Sequence, residues 1–151
     1  MKIRKSKLND AEAIAIQNIL LAEESENIHL SFETVFRGVT SLLSDKTKGF
    51  YVVAEENSKI IGQIMITYEW SDWRNTNIWW IQSVYIQKQW RKKGIFTKIF
   101  QYIQKQALKN QVKILRLYVY EHNIAAQRVY QQIGMEKQSY VIFQQEITLE
   151  K

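Results

Sequence analysis

The run "NIWWIQSVYI" at residues 77–86 is apolar on both of its alternating faces. That pattern is expected of a β-strand covered on its two sides rather than of a strand with one face in water. Apolar residues at helical spacing follow from Gly94, and "VKILRLYVY" at residues 112–120 has again the composition of a strand. Two strands joined through a helix run parallel. This part of the chain therefore predicts a βαβ unit in a sheet that carries helices on its faces.

The remaining segments extend this unit to the order β-α-α-β-β-β-α-β-α-β. Two helical stripes follow a short first strand, and the second stripe, with Phe32, Val35 and Phe36, starts after Ser31, a favoured N-cap residue. The β-branched and aromatic runs "GFYVVAE" and "KIIGQIMITYEW", with polar "ENS" between them, predict a hairpin. A helix after Asn123 and a closing strand "YVIFQQEI" complete a mixed α/β sheet.

A length of 151 residues predicts one domain over residues 1–151, large enough to form a stable buried core without disulfides or a structural metal. The chain has no cysteine, which excludes disulfides, thiolate metal sites and a cysteine nucleophile. Its first residues, "MKIRKSKLND", lack the apolar core of a signal peptide, and no later stretch reaches the ~18 apolar residues of a membrane span. We therefore expect a cytoplasmic protein without a membrane partner.

The formal net charge of +6 favours anionic partners. Nucleic acid, lipid headgroups and a phosphorylated small molecule all satisfy that condition, and charge alone does not choose among them. His29 and His122 lie far apart without metal-ligand spacing, so no metal is expected.

A basic loop, Arg91-Lys92-Lys93, leads through Gly94 into the third helix. The first turn of a helix exposes N–H groups at a positive dipole end, and a glycine there allows a phosphate to approach the backbone. The loop matches neither the nucleotide P-loop pattern nor the dinucleotide fingerprint. Three adjacent cations are also typical of a solvated turn, so both interpretations stay open at this point.

A second motif stands downstream in "NIAAQRVYQQIGM". Asn123, Ala126 and Tyr130 have the spacing N-x-x-A-x-x-x-Y and are followed by Gly134. Seven residues are about two helical turns, so Asn123 and Tyr130 lie on nearly the same face. Together with the Arg-x-x-Gly loop, this motif makes nearly the whole chain resemble the GNAT superfamily of acyl-CoA-dependent N-acetyltransferases. The runs "YEWSDWRN" and "WWIQSVY" are similar to those of a bacterial subgroup.

The resemblance implies a GNAT-type fold with a mostly antiparallel sheet, and acetyl-CoA as co-substrate. The pyrophosphate of acetyl-CoA would lie on the loop and first turn of the third helix: Arg91, Lys92, Lys93, Gly94, Ile95, Phe96 and Thr97. Family members usually carry a small residue where this chain has Phe96, and a proline where it has Lys88.

The resemblance also implies the roles of three further groups of residues. The backbone of Val84, Tyr85 and Ile86 would pair with the pantetheine arm, and one of its N–H groups would polarise the thioester carbonyl. Asn123 would bind the pantetheine, with Ala126 beside it. Tyr130 would protonate the departing thiolate, a role that suits a phenol with a pKa of ~10.

The stretch "TYEWSDWRN" indicates what kind of acceptor substrate the protein would bind. Tryptophan beside carboxylates suits a cationic amine, and Arg74 leaves room for a carboxylate on the same molecule. We therefore expect a small cationic or zwitterionic primary amine. Its binding residues are expected to be Glu24, Glu69, Trp70, Asp72, Trp73 and Gln82. Glu69 is the first candidate for the general base and Glu24 the second, with a water relay near Gln82 or Ser83 equally open.

Two other functions fit parts of the sequence. The patch "KQWRKK" with exposed aromatic residues would suit a nucleic-acid-binding module, and a CoA-binding sensor would need no turnover. The first leaves the Asn123 and Tyr130 spacing unexplained, and the second differs only at the acceptor side. The sequence therefore favours a direct N-acetyltransferase acting on a small molecule, as a monomer or homodimer and without nucleic acid.

Overall fold

The computed structural model describes residues 1–148, and its contacts divide the chain into two units. The first unit, Met1–Leu117, holds five strands and three helices, and the second begins at Tyr118. The strands are β1 (Lys2–Lys5), β2 (Gly49–Glu56), β3 (Lys59–Ser71), β4 (Thr76–Ile86) and β5 (Leu115–Arg116). The helices are α1 (Ala11–Glu26), α2 (Phe32–Leu43), α3 (Ile95–Lys109) and, in the second unit, α4 (Ile124–Gln132). One domain over residues 1–151 stays a prediction.

The five strands form one sheet in the order β1-β2-β3-β4-β5. The first three neighbouring pairs are antiparallel, and β4 pairs with β5 in parallel. The parallel pair is joined through α3, so the predicted βαβ crossover and the mixed, mostly antiparallel sheet are confirmed. None of the helices in residues 1–148 is long and apolar enough to cross a membrane.

Helices cover the two faces of the sheet. On one face, Ile14 of α1 and Leu42 of α2 pack in a buried cluster with Tyr51 and Val53 of β2. On the other face, α3 lies against the sheet: a Cβ on Gly62 would meet the Ile95 side chain at 3.5 Å. Successive residues of β3 point to opposite faces of the sheet, and Gly62 lies on the face that α3 covers. The α1–α2 pair covers the other face.

Arg4 fixes the start of α1 against the sheet. Its guanidinium donates to the two carboxylate oxygens of Asp10 at 2.8 and 2.9 Å, and it also pairs with Glu55 of β2 at 2.6 Å. Burial alone would raise the pKa of Asp10, but Arg4 outweighs it and the pKa is lowered. Since α1 carries Asn18 and Glu24, this anchor sets where those side chains meet the sheet.

Two predicted strands differ from the structure. The strand predicted at residues 112–120 is reduced to Leu115–Arg116, because β4 and β5 share only two register pairs before they separate. The closing strand predicted at residues 140–147 is wrong: this segment forms no strand, and Tyr140 and Phe143 are exposed. Aromatic and β-branched residues favour a strand only where a neighbouring strand gives them a packed surface, and this run pairs with none among residues 1–148.

Candidate functional site

A β-bulge interrupts β4 near its end. Gln63 of β3 faces Tyr85 and Met65 faces Gln82, so Ser83 and Val84 together oppose a single residue of β3. Ser83 has a φ of 50°, in the left-handed region that non-glycine residues seldom adopt. A bulge bends its strand and takes a backbone N–H out of the ladder. The bulge therefore redirects the end of β4.

The β4 edge beyond the bulge lies outside the parallel ladder. The register pairs with β5 are Trp79 with Leu115 and Trp80 with Arg116, and within the first unit β5 ends there. From Ile81 to Ile86, the β4 backbone therefore borders no β5 residue. A strand edge of this kind can accept an extended ligand as an additional strand through main-chain hydrogen bonds.

Buried and half-buried polar side chains lie beside the bulge. Gln63 Nε2 donates to Asn18 Oδ1 at 2.7 Å and to the carbonyl oxygen of Ser83 at 3.5 Å. Asn18 Nδ2 in turn donates to the Tyr51 hydroxyl oxygen at 3.1 Å. Burial raises the pKa of Tyr51, against the opposing hydrogen bonds of Asn18 and Ser83. Strands β2 and β3 and helix α1 thus each contribute one polar group next to Ser83.

The basic loop after β4 has the backbone of an anion-binding turn. A 3-10 turn at Lys88–Trp90 precedes Lys92 with a φ of 59° and Gly94 with a φ of 73°. Gly94 is the N-cap of α3, and no side chain caps this helix end. A Cβ on Gly94 would meet nothing within 4 Å, so the glycine is required by its backbone angle rather than by space. The first turn of α3 therefore keeps the positive end that favours an anion.

Glu24 lies against this basic loop. Arg91 donates to Glu24 Oε2 at 2.6 Å and to the carbonyl oxygen of Ile86 at 2.8 Å. The Tyr85 hydroxyl donates to Glu24 Oε1 at 3.0 Å, and Lys88 Nζ lies 3.6 Å from the same oxygen. Burial opposes ionisation, but Arg91, Tyr85 and Lys88 outweigh it and lower the pKa of Glu24. Both carboxylate oxygens of Glu24 are thus already engaged.

The residues predicted for the acceptor do not share one face of the sheet. Glu69 and Gln82 lie on the α1–α2 side, because the register links their strands to Tyr51 and Met65. Trp70 follows Glu69 on β3 and so points to the opposite face, where it is 61% exposed.

Asp72 and Trp73 belong to the β3–β4 turn. Asp72 Oδ1 accepts from the Trp73 N–H at 2.9 Å, and Trp73 is 88% exposed. Arg74 donates to the Ser71 hydroxyl at 3.3 Å in the same turn. Strand alternation therefore separates Glu69 from Trp70, and Trp73 lies in the turn, so these residues do not form one cage.

Trp80 and Arg116 are the neighbours of Glu69 that sequence reasoning missed. Trp80 Nε1 donates to Glu69 Oε1 at 3.4 Å, and an Arg116 nitrogen lies 3.3 Å from Glu69 Oε2. Beside them, Gln82 Nε2 donates to the Thr67 hydroxyl at 2.6 Å. Strand alternation could have assigned Trp80 to the face of Glu69. Arg116 could not have been found in this way, because its position depends on the register of the parallel pair.

The second unit forms the predicted Asn and Tyr helix. Asn123 Oδ1 accepts from the Ala126 N–H at 3.1 Å, which confirms the N-cap, and α4 ends before Gly134 with its φ of 91°. The Met135 N–H donates to the Tyr130 carbonyl at 3.0 Å and closes the helix end. Burial raises the pKa of the Tyr130 hydroxyl, which keeps it protonated around neutral pH.

The model of the acetyltransferase (GNAT) family matches residues 13–135, from α1 to just past α4. The chain belongs to the GNAT acetyltransferase family. No curated protein matches it significantly.

Solved structures share the GNAT fold over nearly the full chain. The crystal structure of a possible acetyltransferase from Clostridium difficile 630 is 41% identical, with a TM-score of 0.92 and 98% of each chain covered. A predicted acetyltransferase with acetyl-CoA from Clostridium acetobutylicum is 17% identical, with a TM-score of 0.80 and 95% of each chain covered. An aminoglycoside acetyltransferase from an uncultured soil metagenomic sample, in complex with trehalose, is 18% identical, with a TM-score of 0.80 and coverage of 97% of this chain and 96% of that one.

One further cavity of the GNAT protein lies away from the bulge. A pocket of about 470 Å³ at the opposite end of β4 is lined by Arg74, Thr76, Asn77, Ile78, Lys113 and Ile114. Within residues 1–148, no group of three or more His, Cys, Asp or Glu side chains could hold a metal ion. The polar groups described above converge instead at the bulged edge of β4.

The lowered pKa of Glu24 predicts that its ion pairs with Arg91 and Lys88 stabilise the fold less at acidic pH. A carboxylate with a lowered pKa stabilises the fold above its unfolded pKa, here the ordinary value of 4.5, and that stability is lost as the pH falls through the lowered folded pKa. Glu24→Gln should therefore lower the Tm by ~2 °C at pH 7 and by much less at pH 3. Thermal unfolding of both proteins at several pH values measures this, with Glu12→Gln, an exposed change on the same helix, as the control. A difference that is constant with pH would contradict the prediction.

Proposed function

We propose that this protein uses acetyl-CoA to acetylate a primary amine of a small cationic or zwitterionic acceptor, by direct transfer. The observation that carries the proposal is the bulge at Ser83 on a strand edge that β5 leaves after Trp80. Family membership supports acetyl transfer. The open β4 edge, which leads to the left-handed glycine at the start of α3, supports an extended thioester as the donor.

The residues along this edge fit acetyl-CoA, which would supply the activated acetyl group. The loop and first turn from Arg91 to Thr97 would hold the pyrophosphate through backbone N–H groups and the positive helix end. Phe96 stands where the family usually has a small residue, and its ring stacks on Phe100 of the same helix at 5.9 Å. That packing is compatible with a phosphate contact made by the backbone.

The pantetheine arm would pair with the backbone of Val84, Tyr85 and Ile86 as an added strand. Asn123 caps α4 through its side-chain oxygen, so its amide nitrogen would donate the hydrogen bond to the pantetheine, with Ala126 beside it on the first turn. The bulge N–H would stabilise the negative charge that develops on the thioester oxygen. Tyr130 would donate its proton to the leaving thiolate; burial raises the pKa of its hydroxyl, so the group is protonated at neutral pH.

The amine must lose a proton before it attacks. Glu24 is a poor candidate base because, against the effect of burial, Arg91, Tyr85 and Lys88 lower its pKa, which weakens its affinity for a proton. Glu69 lies on the face of the α1–α2 pair, but Arg116 lies 3.3 Å from its carboxylate, and about 10 Å of strand separates its partner Trp80 from the bulge. We therefore assign the proton to a water relay beside Gln82 and leave Glu69 the role of binding the acceptor.

The alternative of a nucleic-acid-binding module gains no support from the basic patch. Arg91 and Lys88 face Glu24, and Lys93 lies 4.9 Å from the centre of the Trp90 ring. A patch that is partly neutralised within the chain, with a tryptophan covered by a lysine, is a weak platform for phosphates and bases.

If the loop holds a pyrophosphate, acetyl-CoA should raise the Tm far more than S-acetylpantetheine, which lacks that group. A ligand that binds only the folded state stabilises it by mass action, by about 2.7 kcal/mol at 100 times its Kd. Thermal unfolding with each ligand at equal concentrations tests this. Equal shifts with both ligands would contradict the assignment of the loop.

Tyr130→Phe keeps the ring but removes the proton donor. We expect kcat to fall by ~10²-fold, while the Tm shift produced by acetyl-CoA stays nearly intact. Steady-state kinetics with the best amine of a screen gives the first value, and thermal unfolding gives the second. Tyr140→Phe, a change on an exposed ring of the same unit, is the control and should be neutral. An unchanged kcat in Tyr130→Phe would return Tyr130 to a packing role.

A further inference from the structure

Glu69 and Arg116 form an ion pair beside Trp80, where β4 and β5 separate. We call it the Glu69–Arg116 pair. Trp80 and Arg116 are the last register partners of the parallel ladder. The side chains of Glu69 and Arg116 are 42% and 28% exposed, and their closest contact of 3.3 Å is long for a charge-assisted hydrogen bond. An ion pair with this exposure and geometry adds little stability. A ligand can therefore open it at small cost.

The charges of the pair select the kind of ligand that can open it. A lone ammonium on Glu69 would leave Arg116 without a counterion, and a lone carboxylate on Arg116 would do the same to Glu69. A zwitterionic head supplies both charges at once, so neither side chain is left unpaired. The arginine fork also suits a carboxylate, since it can donate two parallel hydrogen bonds.

The position of the pair along the sheet sets the length of that ligand. Ser83 lies three positions after Trp80 on β4, a distance of about 10 Å along a strand. A reacting amine lies ~3.5 Å from the carbon it attacks, which leaves about 7 Å between head and amine. The α-amine of a zwitterion held at Glu69 would be too far from the bulge, whereas an amine at the end of three or four methylene groups would reach it.

We propose that the acceptor is a free diamino acid, acetylated on its terminal side-chain amine. Its amino-carboxylate head lies on Glu69 and Arg116, and its methylene chain runs past the Trp80 ring toward the bulge. The new N–C bond forms at the side-chain nitrogen, the C–S bond of the thioester breaks, and the thiolate leaves with a proton. This proposal rests on the proposed function and names the substrate class of the same site.

Four probes test the head and the length together: lysine, cadaverine without the carboxylate, 6-aminohexanoate without the α-amine, and alanine without the side-chain amine. Lysine should exceed each of the others in kcat/KM by about tenfold or more. Cadaverine and 6-aminohexanoate each leave one partner of the pair without its counterion, and alanine has no amine that reaches the bulge. The product, analysed by mass spectrometry with fragmentation, should carry the acetyl group on the side-chain nitrogen.

Two variants assign the charges separately. Glu69→Gln should remove the advantage of lysine over 6-aminohexanoate, and Arg116→Gln should remove its advantage over cadaverine. Arg37→Gln, which breaks the exposed Arg37–Glu33 pair on α2, is the matched control and should leave all three rates unchanged.

An α-acetylated product, or equal losses with every amine in both variants, would overturn the diamino-acid assignment. CoA release with a different amine class would overturn it too, but would leave the proposed function standing. A Tm shift with acetyl-CoA and no CoA release with any amine would overturn both.

A separate observation concerns Gln63, which is fully buried on β3 opposite the bulge. Its Nε2 is shared between Asn18 and the Ser83 carbonyl, and its Oε1 has no hydrogen-bond partner among the described residues. A buried amide that is only half satisfied costs stability. An apolar residue would fill the same space without that cost, so the amide has a use other than packing.

We infer that Gln63 is a positioning residue for the bulge. A left-handed serine is strained, and such a conformation persists only where its surroundings hold it. Gln63 holds the Ser83 carbonyl from below the strand, and Asn18 and Tyr51 hold Gln63 in place. The N–H that the proposed function assigns to the thioester oxygen would therefore depend on a side chain that does not touch the substrate.

Gln17 offers a matched control. It is also buried, its Nε2 donates to the Ile60 carbonyl at 2.9 Å, and its Oε1 also has no partner among the described residues, but it lies away from the bulge. Gln17→Leu and Gln63→Leu should therefore change Tm by similar amounts. Only Gln63→Leu should lower kcat, by about tenfold, with KM for acetyl-CoA within about twofold of the original value.

Hydrogen exchange provides a readout that needs no turnover. Gln63→Leu should speed exchange of the amides of residues 82–85, and Gln17→Leu should not. Asn18→Leu, which removes the partner of Gln63, serves as a second variant if Gln63→Leu fails to fold, and should speed the same amides. Exchange at residues 82–85 that is unchanged in the folded variants would overturn the positioning role whatever the activity of the protein.

Discussion

The bend of β4 at Ser83 is the feature on which the site depends. A parallel pair would normally continue as a ladder, but here it ends after two register pairs. The bulge makes Ser83 left-handed and turns the last residues of β4 toward the basic loop. Within the first unit, the end of β5 leaves the later part of the β4 edge outside the ladder, and the bulge lies on that edge shortly before the basic loop and the start of α3.

Polar groups from several elements support that edge. Asn18 and Glu24 both come from α1, and each meets β4 or its loop through side chains: Asn18 by way of Gln63, and Glu24 directly on Tyr85 and Arg91. Neutralising Arg91 within the chain keeps the loop from self-repulsion while the backbone N–H groups remain the means of holding an anion. In the proposed function, the helix N-terminus and its left-handed glycine, rather than a free arginine, would therefore be the main contact for the pyrophosphate.

Sequence reasoning found the elements whose signals are local. The periodicities of α1, α2, α3 and the strands through β4, the caps Ser31 and Asn123, and the glycine at the start of α3 all rest on residues close together in the chain. The closing strand failed because strand formation depends on a partner. The predicted acceptor residues Glu69 and Trp70 do not lie together, because neighbours along a strand point to opposite faces.

The sequence by itself determined the family, the mixed sheet with its crossover and the residue types at the candidate cofactor site. Period, capping and glycine placement are properties of short segments, so they can be read without coordinates. Only the tertiary structure decided that Glu24 pairs with Arg91, that Glu69 meets Arg116 and Trp80, and that Gln63 lies under the bulge. Each of these pairs joins residues from different elements, and their meeting depends on strand register and helix packing, which no local pattern encodes.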